Sequence, residues 1–171
     1  MLDVAYVEFA HNEVPQAFYV DKGVVTVDSS DDNFWISYNK SDEKFITCTI
    51  KEGELNVVTQ KDNLDIRVNL RNLSVVKLRV DAGMININYL PENFDVALRA
   101  GVVKVKTDKK NIGSLVAEVA VGSVSNNSSA NQEKGANLAQ GINNRVALSG
   151  DKANYVANFK IDSGIFSISD D

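Results

Sequence analysis

A glycine recurs along this chain inside one local pattern, and that pattern leaves few folds open. Aligned on the glycine, six copies read FYVDKGVVTV at Gly23, CTIKEGELNV at Gly53, LRVDAGMINI at Gly83, VALRAGVVKV at Gly101, AEVAVGSVSN at Gly122 and FKIDSGIFSI at Gly164. Five and three residues before the glycine stand Phe18 and Val20, Cys48 and Ile50, Leu78 and Val80, Val96 and Leu98, Ala117 and Val119, Phe159 and Ile161. Two residues after it stand Val25, Leu55, Ile85, Val103, Val124 and Phe166, and four after it Val27, Val57, Ile87, Val105 and Ile168, with Asn126 as the exception. Between those two positions the residue is Thr26, Asn56, Asn86, Lys104, Ser125 or Ser167, always polar. Alternation with a period of two marks a strand with one buried face. Here it runs on both sides of each glycine, and a residue without a Cβ takes positive φ at little cost. Each copy therefore reads as two short strands joined at a corner, with their apolar faces on the same side.

The spacing of the glycines favours stacked coils over hairpins. Gly23 to Gly53 and Gly53 to Gly83 are each 30 residues, Gly83 to Gly101 is 18, and Gly101 to Gly122 is 21. The 42 residues from Gly122 to Gly164 leave room for a seventh, degenerate coil near Gly141. The expected fold is all-β, a single β-solenoid of about six to seven coils with glycine-centred corners, each coil pairing with the next at roughly 4.8 Å. NFWISYN and NLDIRVNL supply one further strand to each of the longer early coils. Residues 1–17 are expected to form an N-terminal strand or cap and 18–171 the solenoid domain, with a polar loop at about 125–145. That loop segment, rich in Asn, Ser, Ala and Gly, is the clearest break in composition.

A chain of 171 residues, 44% hydrophobic and 24% charged, can bury a real core. Its formal charge of -5 and scattered Lys and Arg argue against nucleic acid or anionic lipid as partner. With no run of about 18 apolar residues and no basic-then-apolar leader, the chain as given is expected neither to span a membrane nor to carry its own export signal. A single cysteine, Cys48, excludes an internal disulfide, and a lone His11 excludes a His-based metal cluster.

The order ELNVVTQ, NLDIRVNLRNLSVVKLRVDAGMINI, VALRAGVVKV resembles the bacterial envelope domains known as putative adhesins, of the toastrack type. In these a strand ending in a dipeptide-glycine corner recurs along a β-solenoid. The resemblance spans roughly residues 18 to 169. It implies an extracytoplasmic, non-enzymatic module found with envelope-stress signalling and surface proteins, and it carries over no site residue, because the family has no catalytic motif to match.

The residues themselves offer little chemistry. Cys48 occupies a position that the other copies fill with Phe, Leu, Val or Ala, so it reads as a small buried hydrophobe rather than a nucleophile. His11, in EFAHNEVP, lacks a Ser or Asp pattern that would make it a general base. DSSDDNF, residues 28–34, gathers three carboxylates and an Asn, but the glycine and glutamate of a calcium loop are missing, and a solvated turn fits better. No phosphate loop, nucleophile elbow, zinc-protease helix or C-x-x-C is present. The outward positions after each glycine are polar but not acidic, unlike the stacked carboxylates of polysaccharide-cleaving β-helices.

The expected function is a non-enzymatic cell-envelope structural or interaction module, binding a protein or glycan through a solenoid face without a cofactor. Its candidate contact residues are Trp35, Asn86 and Lys104, with no catalytic or metal-binding residue among them. The alternatives are a cytoplasmic self-assembling scaffold of the bactofilin kind and a carbohydrate-active β-helix enzyme. Trp35 has two open readings: outward as a partner anchor, or buried between layers.

Overall fold

In the computed structural model of the chain, residues 4–7, 15–29, 35–70, 73–133 and 141–171 are described, and their strands join into one open, mixed sheet of twelve. In chain order these are β1 (Val4–Val7), β2 (Ala17–Asp28), β3 (Ile36–Asn39), β4 (Ile46–Lys51), β5 (Glu54–Thr59), β6 (Asp65–Asn69), β7 (Val75–Ile87), β8 (Asn93–Lys106), β9 (Ser114–Asn127), β10 (Asn131–Gln132), β11 (Gly141–Ser149) and β12 (Val156–Ser169). Two short 3-10 turns, Lys40–Phe45 and Lys109–Asn111, are the helical elements among the described residues.

The repeat is visible as a stack. β2, β7, β8, β12 and β9 lie side by side, all parallel, with Gly23 opposite Gly83, Gly83 opposite Gly101, Gly101 opposite Gly164 and Gly164 opposite Gly122. All five glycines have positive φ, between 136° at Gly83 and 152° at Gly164. Each long strand turns at its glycine, dividing into a first arm before it and a second arm after it. The short connections require that turn. β7 has 13 residues, some 40 Å if straight, yet only the segment between Ile87 and Asn93 carries the chain back to the start of its parallel neighbour β8.

Every apolar position that the pattern assigns to these five strands is buried, from Phe18 and Val20 on β2 to Phe166 and Ile168 on β12. Columns of like-placed side chains run across the strands. One of them reads Phe18, Leu78, Val96, Phe159, Ala117 in spatial order.

The stack departs from the expected chain order. β12, last in sequence, lies between β8 and β9. Its Phe159 thereby sits between Val96 and Ala117, where a small neighbour leaves room for a ring, and packs on Phe94 at 6.2 Å and Phe166 at 5.1 Å between centroids. Glycine spacing does not contain this placement, whereas a large side chain beside a small one fits close packing.

Two expected coils also take another form. Gly53 is not an arch: Glu52 (φ 53°) and Gly53 (φ 78°) form the two-residue turn of an antiparallel β4–β5 hairpin. Two consecutive residues at positive φ reverse a chain tightly instead of bending it. β5 pairs with the first arm of β2 and β6 with its second arm, so together they supply the layer expected from a single bent strand. Gly141 opens β11, which runs antiparallel to β9 with Gly141 opposite Gly122, so it begins no seventh parallel coil.

Of the segment expected as a polar loop, residues 125–127 end β9, Asn131–Gln132 pair with β11, Ala130 is buried, and 141–145 belong to β11. Its Asn and Ser residues satisfy local turns, Asn126 Oδ1 accepting from the Ser128 backbone N–H at 3.0 Å, so the polar composition concealed the pairing. Residues 134–140 of it, together with His11 and residues 30–34 of the acidic turn, lie outside the described residues.

Candidate interaction faces

Because side chains alternate across a strand, the stack that buries one set of columns exposes another. On the second arms the outward column runs Thr26, Asn86, Lys104, Ser167, Ser125. The next outward column adds Asn88, Lys106 and Ser169. Between them lies a groove of about 430 Å³ lined by Thr26, Asn86, Asn88, Lys104, Lys106 and Ser167. The lining offers hydroxyls, amides and two ammonium groups. Among the described residues no carboxylate is within 4.0 Å of either lysine. At one end Asn88 Nδ2 donates to Asp28 Oδ1 at 3.1 Å, and Asp28 also pairs with Arg67 at 2.7 Å.

The sequence-derived candidates thus share a face without forming one site. Asn86 and Lys104 are direct cross-strand partners. Trp35 immediately precedes β3, with the parity of Ser37, whose partner Arg67 lies opposite Thr26. That puts it on the same face, about four strand spacings or roughly 19 Å from β8. Trp35 is half-buried, and its face neighbours Ser37 and Asn69 are buried, so its end of the face is covered while the Asn86 end is open. The pattern alone did not single out Asn88 and Lys106 as groove residues, because Asn88 follows β7 and Lys106 ends β8, outside the aligned copies.

The first arms present a second outward face. Its central column runs Tyr19, Arg79, Ala97, Lys160, Glu118 and, across the antiparallel pair, Arg145. The Arg79 guanidinium lies over the Tyr19 ring, 4.3 Å from its centroid, and the Tyr19 hydroxyl donates to the Asp81 carboxylate. That hydrogen bond, with burial adding to it, raises the Tyr19 pKa above the ordinary phenol value. Tyr19 is therefore a fixed neutral plate that holds Arg79 in place.

Cys48 is half-buried at the rim of the core, and burial raises its thiol pKa to about 11. Only the thiolate attacks electrophiles, and at pH 8 that shift leaves roughly one thiol in a thousand ionised. A bulky maleimide should accordingly label folded protein at least tenfold more slowly than denatured protein. Equal rates would place Cys48 on an open surface. Among the described residues no group of three His, Cys, Asp or Glu side chains is arranged to hold a metal ion. Nor is any helix among them long and apolar enough to cross a membrane.

No family model matches the chain, and no curated protein matches it significantly. A solved structure does: a putative cell adhesion protein from Clostridium sporogenes shares 15% sequence identity with a TM-score of 0.54, covering 100% of this chain and 99% of that one. At that identity the likeness establishes a shared all-β fold over the whole length.

Proposed function

We propose that this chain is an adhesin-like, non-enzymatic binding module of the bacterial cell envelope. In this reading its stacked strands form a short β-solenoid of the toastrack kind, and the second-arm groove meets a protein or glycan partner. The observation that carries it is the groove itself: a ladder of five parallel strands holds Asn86 and Lys104 side by side on its outward face, and among the described residues no ion pair engages Lys104. Such a surface recognises hydroxyl-rich or anionic partners without performing a reaction. The solenoid reading is supported by the in-register glycines and by connections too short for unbent parallel strands. The full-length fold likeness to a protein described as a putative cell adhesion protein points the same way.

The test compares the parent with the Asn86→Ala, Lys104→Ala double variant for binding to purified envelope preparations and a glycan array. Both side chains are outward, so the melting temperature should stay within a degree or two, while binding weakens by about tenfold or more. Undiminished binding would remove the groove from the function. Absence of any envelope or glycan ligand, or turnover of a polysaccharide, would overturn the module itself.

A further inference from the structure

The outward face of the first arms gathers charged side chains around one uncharged position, Ala97. Across β7, β8 and β12 two successive outward rows can be read. The first is Lys77, Asp95, Asn158 and the second is Arg79, Ala97, Lys160, in direct register; Asp81, Arg99 and Asp162 follow before the corner, where the paired register is interrupted. In the first row Asp95 lies beside Lys77 and accepts from Asn158 Nδ2 at 3.4 Å, and Arg99 follows Leu98 on β8, between the strands that carry Asp81 and Asp162; among the described residues no ion pair within 4.0 Å joins these charges. Further along the second row Glu118 lies between Lys160 and Arg145 and pairs with Arg145 at 3.7 Å. Only at Ala97 do two cations flank a residue with no charge.

That position is a cleft. The space, about 400 Å³, is lined around Ala97 and Asp95 by Lys77, Arg79, Asn158 and Lys160, and extends past Arg79 to Tyr19 and Glu54. Arg79 and Lys160 stand two strand spacings apart, roughly 10 Å between Cα atoms. Among the described residues neither has a carboxylate within 4.0 Å. Arg79 is already held over the Tyr19 ring, so little side-chain entropy remains to be lost when it accepts a ligand.

We infer that the cleft over Ala97 binds a carboxylate of an acidic glycan, the ligand's carboxylate taking between Arg79 and Lys160 the place that Asp95 holds beside Lys77 in the first row and Glu118 holds between Lys160 and Arg145 further along the second. Arg79 can meet it with two parallel N–H donors and Lys160 with its ammonium. A sugar suits the cleft better than a peptide. β8 is paired on both sides, by β7 and β12, so no main-chain edge is open for an added strand. What remains are side-chain donors and acceptors at Lys77, Asn158, Glu54 and Asp95, matched to ring hydroxyls. The inference names a ligand class for the binding role proposed above, but places it on the opposite arm.

Calorimetric titration with trigalacturonate decides it, with the fully methyl-esterified trimer and a hexaglutamate peptide as comparisons. The parent should bind the acid, and the ester at least about tenfold more weakly. Arg79→Ala should lose the acid by a similar factor. Ala97→Glu should lose it as well while melting no lower than the parent, because the new carboxylate completes the row from within. Lys110→Ala, which removes an exposed cation outside the cleft, should bind the trimer unchanged. No binding by the parent, equal binding of the ester, or full binding by the Ala97→Glu variant would overturn the inference. Preference for hexaglutamate would overturn its assignment to a glycan. If trimer binding fails while envelope binding still depends on Asn86 and Lys104, the cleft is discarded and the second-arm module stands.

Discussion

Gly101→Ala should destabilise the protein by more than about 4 kcal/mol, a large share of the stability of an ordinary domain. Two costs combine. Gly101 has φ 143°, a region where a side chain costs about 1–3 kcal/mol. A Cβ there would also lie 1.8 Å from the carbonyl oxygen of Gly83, about half an ordinary contact distance. That oxygen belongs to a paired backbone, so relief requires separating β7 from β8 at the corner. The same approach recurs along the stack, at 1.9 Å for Gly83 on Gly23, 1.8 Å for Gly164 on Gly101 and 1.7 Å for Gly122 on Gly164. Gly53 is the control, since its φ is 78° but nothing lies within 4 Å of an added Cβ, so Gly53→Ala should cost only about 1–2 kcal/mol. Urea denaturation of both variants separates the terms. A loss at Gly101 no larger than that at Gly53 would show that the close approach carries no energy.

Phe159→Ala should cost about 3–5 kcal/mol, the range for emptying a phenylalanine site in a core that cannot collapse. Phe159 is 1% exposed and anchors β12 in the middle of the stack through its contacts with Phe94 and Phe166. Collapse is resisted because the sheet spacing on either side is fixed by the ladders to β8 and β9. Chemical denaturation measures the loss, and proteolysis should find β12 the first strand released. A cost below about 1 kcal/mol would mean that the ring's neighbours close over the gap and that the Phe–Ala complementarity does not place this strand.

Asn144 shows how the stack ends. Its side chain is buried opposite Val119, in a column otherwise apolar, and its Nδ2 donates to the Gly122 carbonyl oxygen at 2.7 Å. That oxygen lies on the last of the stacked parallel glycines, and the amide supplies its hydrogen-bond donor. The pattern of copies gave no signal for this residue, because β11 is antiparallel and carries its glycine at its first position.

Much of the fold was legible in the residues. Alternation around Gly23, Gly83, Gly101, Gly122 and Gly164 identified the buried columns and the need for positive φ, because both follow from backbone geometry within a ten-residue window. Asn86 and Lys104 were placed correctly on an outward strand face for the same reason. Three things depended on the tertiary structure: β12 entering between β8 and β9, Gly53 closing a hairpin, and the cleft at Ala97. Local sequence fixes which way a side chain points, but not which strand lies beside it. Neighbours are chosen by complementary volume and charge summed over the whole sheet, and a missing carboxylate between Arg79 and Lys160 becomes visible only when three strands distant in sequence are brought into register.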